Sequence, residues 1–170
     1  MNLSRTDASV TYRGYRNQAL YVLARLLTDE NSDRQIYRPE GSEDLAIFDA
    51  QQRLIEAVQV KDYSSDLALS HFKPSSPVGF FARFKDRQTQ HPACDTRLAS
   101  FGGLGPEFRG AIAGDSKHRG SVTEKLTKAN TSLSSGDVVG MLDKLEDQIE
   151  FPSTTQLRAD VLNALGSLFR

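Results

Sequence analysis

Three observations predict an α/β chain with a small mixed β-sheet flanked by helices and a helical C-terminal section. Apolar residues recur at three- and four-residue spacing over residues 12–27. Two short apolar runs, 45–48 and 54–60, are joined by a polar turn. The last third of the chain reads as three amphipathic helices.

Residues 12–27 form the first helix. Ala19, Leu20, Leu23, Leu26 and Leu27 make the stripe expected to be buried. Gln18, Tyr21 and Arg25 share a different face. Residues 29–33 are a polar connection, 34–38 a short first strand, and Pro39-Glu40-Gly41-Ser42 a turn. Residues 45–48 are the next strand and 49–53 its hairpin turn. The stronger strand, 54–60, is rich in β-branched and aliphatic residues. Alternation puts Ala57, Gln59 and Lys61 on one face and Ile55 and Val58 partly in the core, with Glu56 pointing away from Gln59.

Residues 63–72 and 78–84 are expected to be helical, and 97–101 to be a further strand. The strand runs into Gly102-Gly103-Leu104-Gly105-Pro106, a loop by composition. Residues 110–121, with three glycines and a basic cluster, read as flexible. The three helices follow at 122–129, 137–149 and 154–169. Ser135 or Gly136 lies near the cap of the second, and Ser153 with Gln156 makes a capping box for the third. Leu157, Val161, Leu162, Leu165 and Leu168 are the apolar stripe of that last helix.

At 170 residues the chain suffices for one domain with its own core. Its single cysteine, Cys94, excludes an internal disulfide framework and offers no thiol pair for zinc. No apolar run approaches the roughly 20 residues that span a bilayer. Residues 1–15 lack the apolar region of a signal peptide, so a cytoplasmic protein is expected. Net charge is −1, but it is uneven: residues 71–120 carry eight Lys/Arg against four Asp/Glu. A basic middle beside acidic flanks suits a protein that grips phosphate in one region and metal in another. His71, His91 and His118 lack metal-ligand spacing, and no Gly-Lys-Ser/Thr follows the glycine loop to make a phosphate cradle.

The chemistry concentrates in residues 43–61. Strands arranged as above bring Asp44, Gln59 and Lys61 together at one end of the hairpin. A carboxylate and a carbonyl oxygen are suitable ligands for Mg²⁺ or Mn²⁺. An ammonium beside them can orient a water and balance phosphate charge. Asp44 and Gln59 are the candidate metal ligands, and Lys61 completes the catalytic set. Glu40 and Glu43 are rival or supporting acids. Arg83, Lys85, Arg87, Arg109, Lys117 and Arg119 are candidate contacts to a DNA backbone. Gln-x-Lys alone occurs by chance in many proteins. The weight lies in the conjunction of amphipathic helix, acid-led strand, short turn and apolar strand ending in the triplet.

In its order of Glu43-Asp44 followed by Gln59-Val60-Lys61, the chain resembles the PD-(D/E)xK nuclease superfamily. Gln replaces the commoner acid, as it does in the superfamily's Mrr-like branches. With Gly14-Tyr15-Arg16-Asn17-Gln18-Ala19-Leu20-Tyr21 included, residues 12 to about 105 resemble the N-terminal double-stranded-DNA nuclease domain of bacterial anti-phage effectors, both CBASS-type and STAND NTPase-type. The resemblance implies a restriction-endonuclease-like core and a supporting role for Gln18 at the metal site. It also implies double-stranded DNA as substrate with little sequence readout. A fused or controlling sensor or NTPase module, a homo-oligomeric active form and no membrane association follow from it too. On that view residues 1–170 are one nuclease domain, the N-terminal part of a larger protein. The alternatives are a catalytically inactive nuclease-fold module for DNA binding or assembly, and a nuclease acting on RNA.

Overall fold

A computed structural model describes residues 5–40, 43–63 and 65–168 of the chain. Five strands form one mixed sheet in the order β1 (Ile36–Pro39), β2 (Leu45–Phe48), β3 (Leu54–Lys61), β4 (Asp95–Ser100) and β5 (Ile149–Glu150). The first three are an antiparallel meander. β4 and β5 then add in parallel to β3. The helices are α1 (Arg5–Thr28), α2 (Phe80–Gln90), α3 (Pro106–Ile112), α4 (Ser116–Ala129), α5 (Ser135–Gln148) and α6 (Thr154–Leu168). Among the described residues no helix is long and apolar enough to cross a membrane.

The hairpin and its turn lie where the alternation places them. Asp49 tightens the turn by accepting the N–H groups of Gln51 and Arg53 at 2.9 Å each. Leu45, Ile47, Val58 and Ala99 face α1 and α6, meeting Tyr21, Val22 and Leu157. Leu98 faces the other way, into the larger core under α2 to α5. Phe72, Phe80, Phe81, Phe84 and Phe108 interlock there, with ring centroids 5.0 to 6.2 Å apart.

Several expectations are corrected. The first helix begins at Arg5, and its apolar stripe is not the buried one. Ala19, Leu23 and Leu26 are exposed, and Leu20 and Leu27 only half-buried. The face turned to the sheet carries Gln18, Tyr21, Ala24 and Arg25. The reason is electrostatic. Arg25 bridges Glu56 (2.8 Å) and Glu150 (3.4 Å), Tyr21 donates to Glu150 (3.1 Å), and Arg97 joins the same two acids from β4. A polar network, not a leucine stripe, seats α1.

Residues 63–72 do not form the expected helix. Leu67 pairs instead with the glycine loop, its N–H on Gly103 O and its carbonyl on Gly105 N–H, both at 2.9 Å. Among the described residues of this stretch only Leu69–Phe72 coils, as a 3₁₀ turn. The second expected helix, 78–84, starts at Phe80 and continues to Gln90. Residues 110–121 are helical rather than flexible. Asp115 caps α4 by accepting the His118 N–H at 2.8 Å, and Gly114 makes the preceding turn at φ 81°. Ser134, not Ser135 or Gly136, caps α5 in a reciprocal box with Asp137. In α6, Val161 is buried, Leu157 is half-buried and Leu162 and Leu165 are exposed, while the Leu168 side chain lies outside what is described. Ser153 accepts the Gln156 N–H there at 3.5 Å. Of the expected features, Gly41, Ser42 and Phe169 lie outside the described residues.

The seating of α1 is testable by unfolding in urea. Leu23→Ala and Leu26→Ala each shift the unfolding free energy by less than about 0.5 kcal/mol, as exposed positions do. Tyr21→Ala costs roughly 3 kcal/mol or more. Losses of about 2–5 kcal/mol at both leucines would return the stripe to the core.

Candidate active site

The antiparallel register pairs Leu45 with Val58, which sets Asp44, one residue before β2, across from Gln59. Asp44 turns its carboxylate back onto β3. Its Oδ2 accepts the Val60 N–H at 2.6 Å and also the side-chain amide of Gln59. Its Oδ1 accepts Nε2 of Gln18, from α1, at 3.2 Å, and the same nitrogen donates to Glu40 Oε1 at 3.1 Å. Two carboxylate oxygens thus converge on one amide nitrogen. Glu40 sits at φ 55°, a left-handed backbone that costs a non-glycine residue about 1–2 kcal/mol. Its N–H closes the loop onto Asp44 O at 3.2 Å. Strain of this kind tends to collect at working sites.

Lys61 ends β3, two residues beyond Gln59 and so on the same side of the pleat. Burial dominates the behaviour of both charged groups. It pushes the Asp44 carboxyl above its usual range, against the Val60 N–H, the Gln59 amide and Lys61, which favour the anion. It holds the Lys61 ammonium below its usual value, with Asp44 opposing and Arg83 reinforcing the shift.

Glu43 is the buried acid of the pair, its side chain 1% exposed. Arg83 from α2 grips both oxygens, Nε to Oε1 at 2.8 Å and Nη2 to Oε2 at 2.9 Å, and Arg87 adds Nη1 to Oε1 at 2.7 Å. Arg83 Nη2 also donates to Gln59 Oε1 at 2.8 Å. A guanidinium has donors only, so the Gln59 oxygen must face Arg83 and its nitrogen must face Asp44. The sequence assigns that oxygen to a metal. In the structure it is turned onto Arg83, and Gln59 serves Asp44 as a donor.

Mg²⁺ takes hard oxygen ligands, keeps several waters and needs only one or two protein carboxylates. Asp44 and Glu40, meeting at the Gln18 amide, are such a pair, so the donor set fits one Mg²⁺ or Mn²⁺. Among the described residues no three His, Cys, Asp or Glu side chains cluster as a metal cage. A site here is therefore of the sparse, water-completed kind.

The candidate DNA contacts divide sharply. Arg87 is 6% exposed and bound to Glu43 and Thr96, so it is corrected to a core residue. Arg83 is engaged as above. Lys85 is bound to Ser132 O at 2.6 Å and Asp137 at 2.8 Å, and Arg119 to Asp143 at 2.6 Å and Ala111 O at 3.1 Å. These bonds brace helices. Arg109 donates to Leu104 O but stays largely open, and Lys117 is exposed. Tyr21 lies with Glu150, outside the site. Sequence reasoning missed Arg13 and Asn17, which both bind Asp62 beside Lys61, at 3.2 and 3.1 Å. Their signal was a row at four-residue spacing, Arg13, Asn17 and Tyr21.

No family model, curated protein or solved structure matches the chain. The functional reading rests on this geometry and on the sequence resemblance.

Lys61 offers a direct check on the electrostatics. Followed by ¹³C NMR at its Cε, it titrates below 10.5. Asp44→Asn removes the anion that supports the ammonium and lowers the midpoint further. Arg83→Met removes a repelling cation and raises it. Titration at or above 10.5 in the unsubstituted protein contradicts this description.

Proposed function

We propose that this chain is a Mg²⁺-dependent endonuclease of the restriction-endonuclease-like kind, cutting double-stranded DNA with little sequence preference. Its place is as the effector domain of an anti-phage system under the control of a sensor or NTPase module. The observation that carries the reading is the meeting of Asp44, Gln59 and Lys61 at one end of the β2–β3 hairpin.

The residues divide the work. Asp44 and Glu40 would hold the cation. When bound, Mg²⁺ neutralises phosphate charge and acidifies a water. Lys61, half-buried and held below its usual value by that burial, lies on the same side of β3 as Gln59, where its amine would orient a water and its ammonium would balance phosphate charge. Gln59 donates to Asp44 and keeps its carboxylate aimed. Arg83 holds Gln59 and offers the nearest further positive charge. Gln18 ties α1 to both acids, so the site is assembled only when helix and hairpin are docked.

A second reading, a non-catalytic nuclease-fold module for DNA binding or assembly, has one observation in its favour. Both Asp44 oxygens and the Gln59 oxygen are already satisfied by protein donors.

Nicking of supercoiled plasmid, with duplex RNA as competitor, separates these readings. The nuclease cuts DNA with Mg²⁺ or Mn²⁺, not with EDTA. Asp44→Asn and Lys61→Met, folded by circular dichroism, lose on the order of 10²–10⁴ in rate. Full activity in either variant removes the assignment. Preferential RNA cleavage changes the substrate. Absence of cleavage together with metal-independent DNA binding favours the inert module.

A further inference from the structure

Ala19, Leu23 and Leu26 of the α1 stripe that periodicity places in the core face outward, with Tyr15 beside them. Tyr15 is 61% exposed, Leu23 41% and Leu26 38%. With Ala19, Val22 and Pro39 they wall a groove of about 440 Å³ between α1 and β1. Gln18, Glu40 and Asp44 form its polar part. Among the described residues, the carboxylate oxygens of Glu40 and Asp44 accept only amide N–H groups, never a cation within ion-pair distance. The groove is therefore apolar along its body and negative at one place on its rim. An open apolar surface of this kind marks an interaction site.

Two features define what fits. Tyr15, Ala19, Val22, Leu23 and Leu26 follow three- and four-residue spacing, the stripe by which one helix packs ridge-into-groove on another. Tyr15 to Leu26 rises about 16 Å, so a partner helix of about 12 residues covers it. The acid pair then selects charge: among the described residues neither carboxylate is engaged in an ion pair, so a cation brought against them is favoured and an anion is repelled.

We propose that this groove docks a helix of a partner protein that carries apolar anchors at three- and four-residue spacing and one lysine or arginine, whose cation lies against Glu40 and Asp44. Docking and metal binding draw on the same two carboxylates. The docked helix therefore competes with Mg²⁺ and restrains cleavage. That consequence rests on the nuclease reading; the docking itself does not.

The probe is a set of fluorescent helical peptides of about 14 residues, with leucines at helical spacing and a single lysine at either end, each with a Lys→Glu counterpart. Anisotropy is read without metal or DNA. One lysine peptide binds saturably and shifts the amides of Ala19, Val22 and Leu23 in ¹H–¹⁵N spectra. Its glutamate counterpart binds roughly tenfold weaker, as does the lysine peptide to Glu40→Gln. Leu23→Gln with Leu26→Gln weakens binding similarly, with an unchanged unfolding midpoint showing that the fold is intact. Mn²⁺ displaces the lysine peptide.

Three results overturn the proposal. The first is no saturable binding by any lysine peptide. The second is equal binding of the lysine and glutamate forms. The third is a concentration-dependent dimer in sedimentation that Leu23→Gln with Leu26→Gln abolishes, which gives the groove to a second copy of this chain. Charge-selective binding without cleavage under any condition leaves the docking standing and removes the nuclease reading alone.

Discussion

The Asp44 carboxylate, folded back onto the Val60 N–H and the Gln59 amide, is the contact on which the candidate site depends. It lies at the open end of the β2–β3 ladder, one residue outside the paired strands. The ladder's register follows from its apolar faces. Leu45, Ile47 and Val58 must all reach the core under α1, while Ala46 and Ala57 pack with Cys94 on the other side. Side chains alternate with period two, so a slip of one residue would exchange those sets and present valine to Asp44 in place of Gln59. Hydrophobic patterning thus decides which polar groups meet. Asp44 then fastens the end of the pairing it was brought to.

From that contact a chain of polar groups runs both ways. Towards α2 it passes through Gln59 and Arg83 to Glu43 and Arg87, and towards α1 through Gln18 to Glu40. Two helices far apart in sequence are clamped to one hairpin. Burying Glu43 with two arginines costs desolvation, which the forked hydrogen bonds offset. Removing either partner would strand a charge, so the arrangement specifies geometry more than it adds stability. Arg87 Nη2 is buried without a partner among the described residues, so part of that desolvation is left uncompensated.

The legible parts of the fold are those set by local patterns. Both hairpin strands and their turn are readable because two short apolar runs are separated by Asp49 and neighbouring polar residues. The same alternation puts Gln59 and Lys61 together and sends Glu56 to the opposite face, where it meets Arg25 and Arg97. The buried face of α1 is not legible because its leucines outweigh, by count, the residues that hold it. Tyr21 and Arg25 find partners over 120 positions away at Glu150, which no window on the sequence can see. Residues 63–72 failed for the same reason, since Leu67 is held by a glycine loop nearly forty positions on. Arg83 and Arg87 look like surface charges in one dimension. Only helix packing shows that they face a buried glutamate. Residues 110–121 carry three glycines, yet the Asp115 cap and apolar neighbours of both helices outweigh them.

On the proposed reading, the end of the β2–β3 hairpin binds a divalent cation through Asp44. Adding substoichiometric Mn²⁺ to the ¹⁵N-labelled protein tests it without substrate or turnover. Selective broadening of the amide signals of Gln18, Glu40, Asp44 and Val60, absent in Asp44→Asn, is the predicted result. Uniform broadening, or broadening centred on the Glu56–Glu150 cluster, would place the cation elsewhere and contradict it.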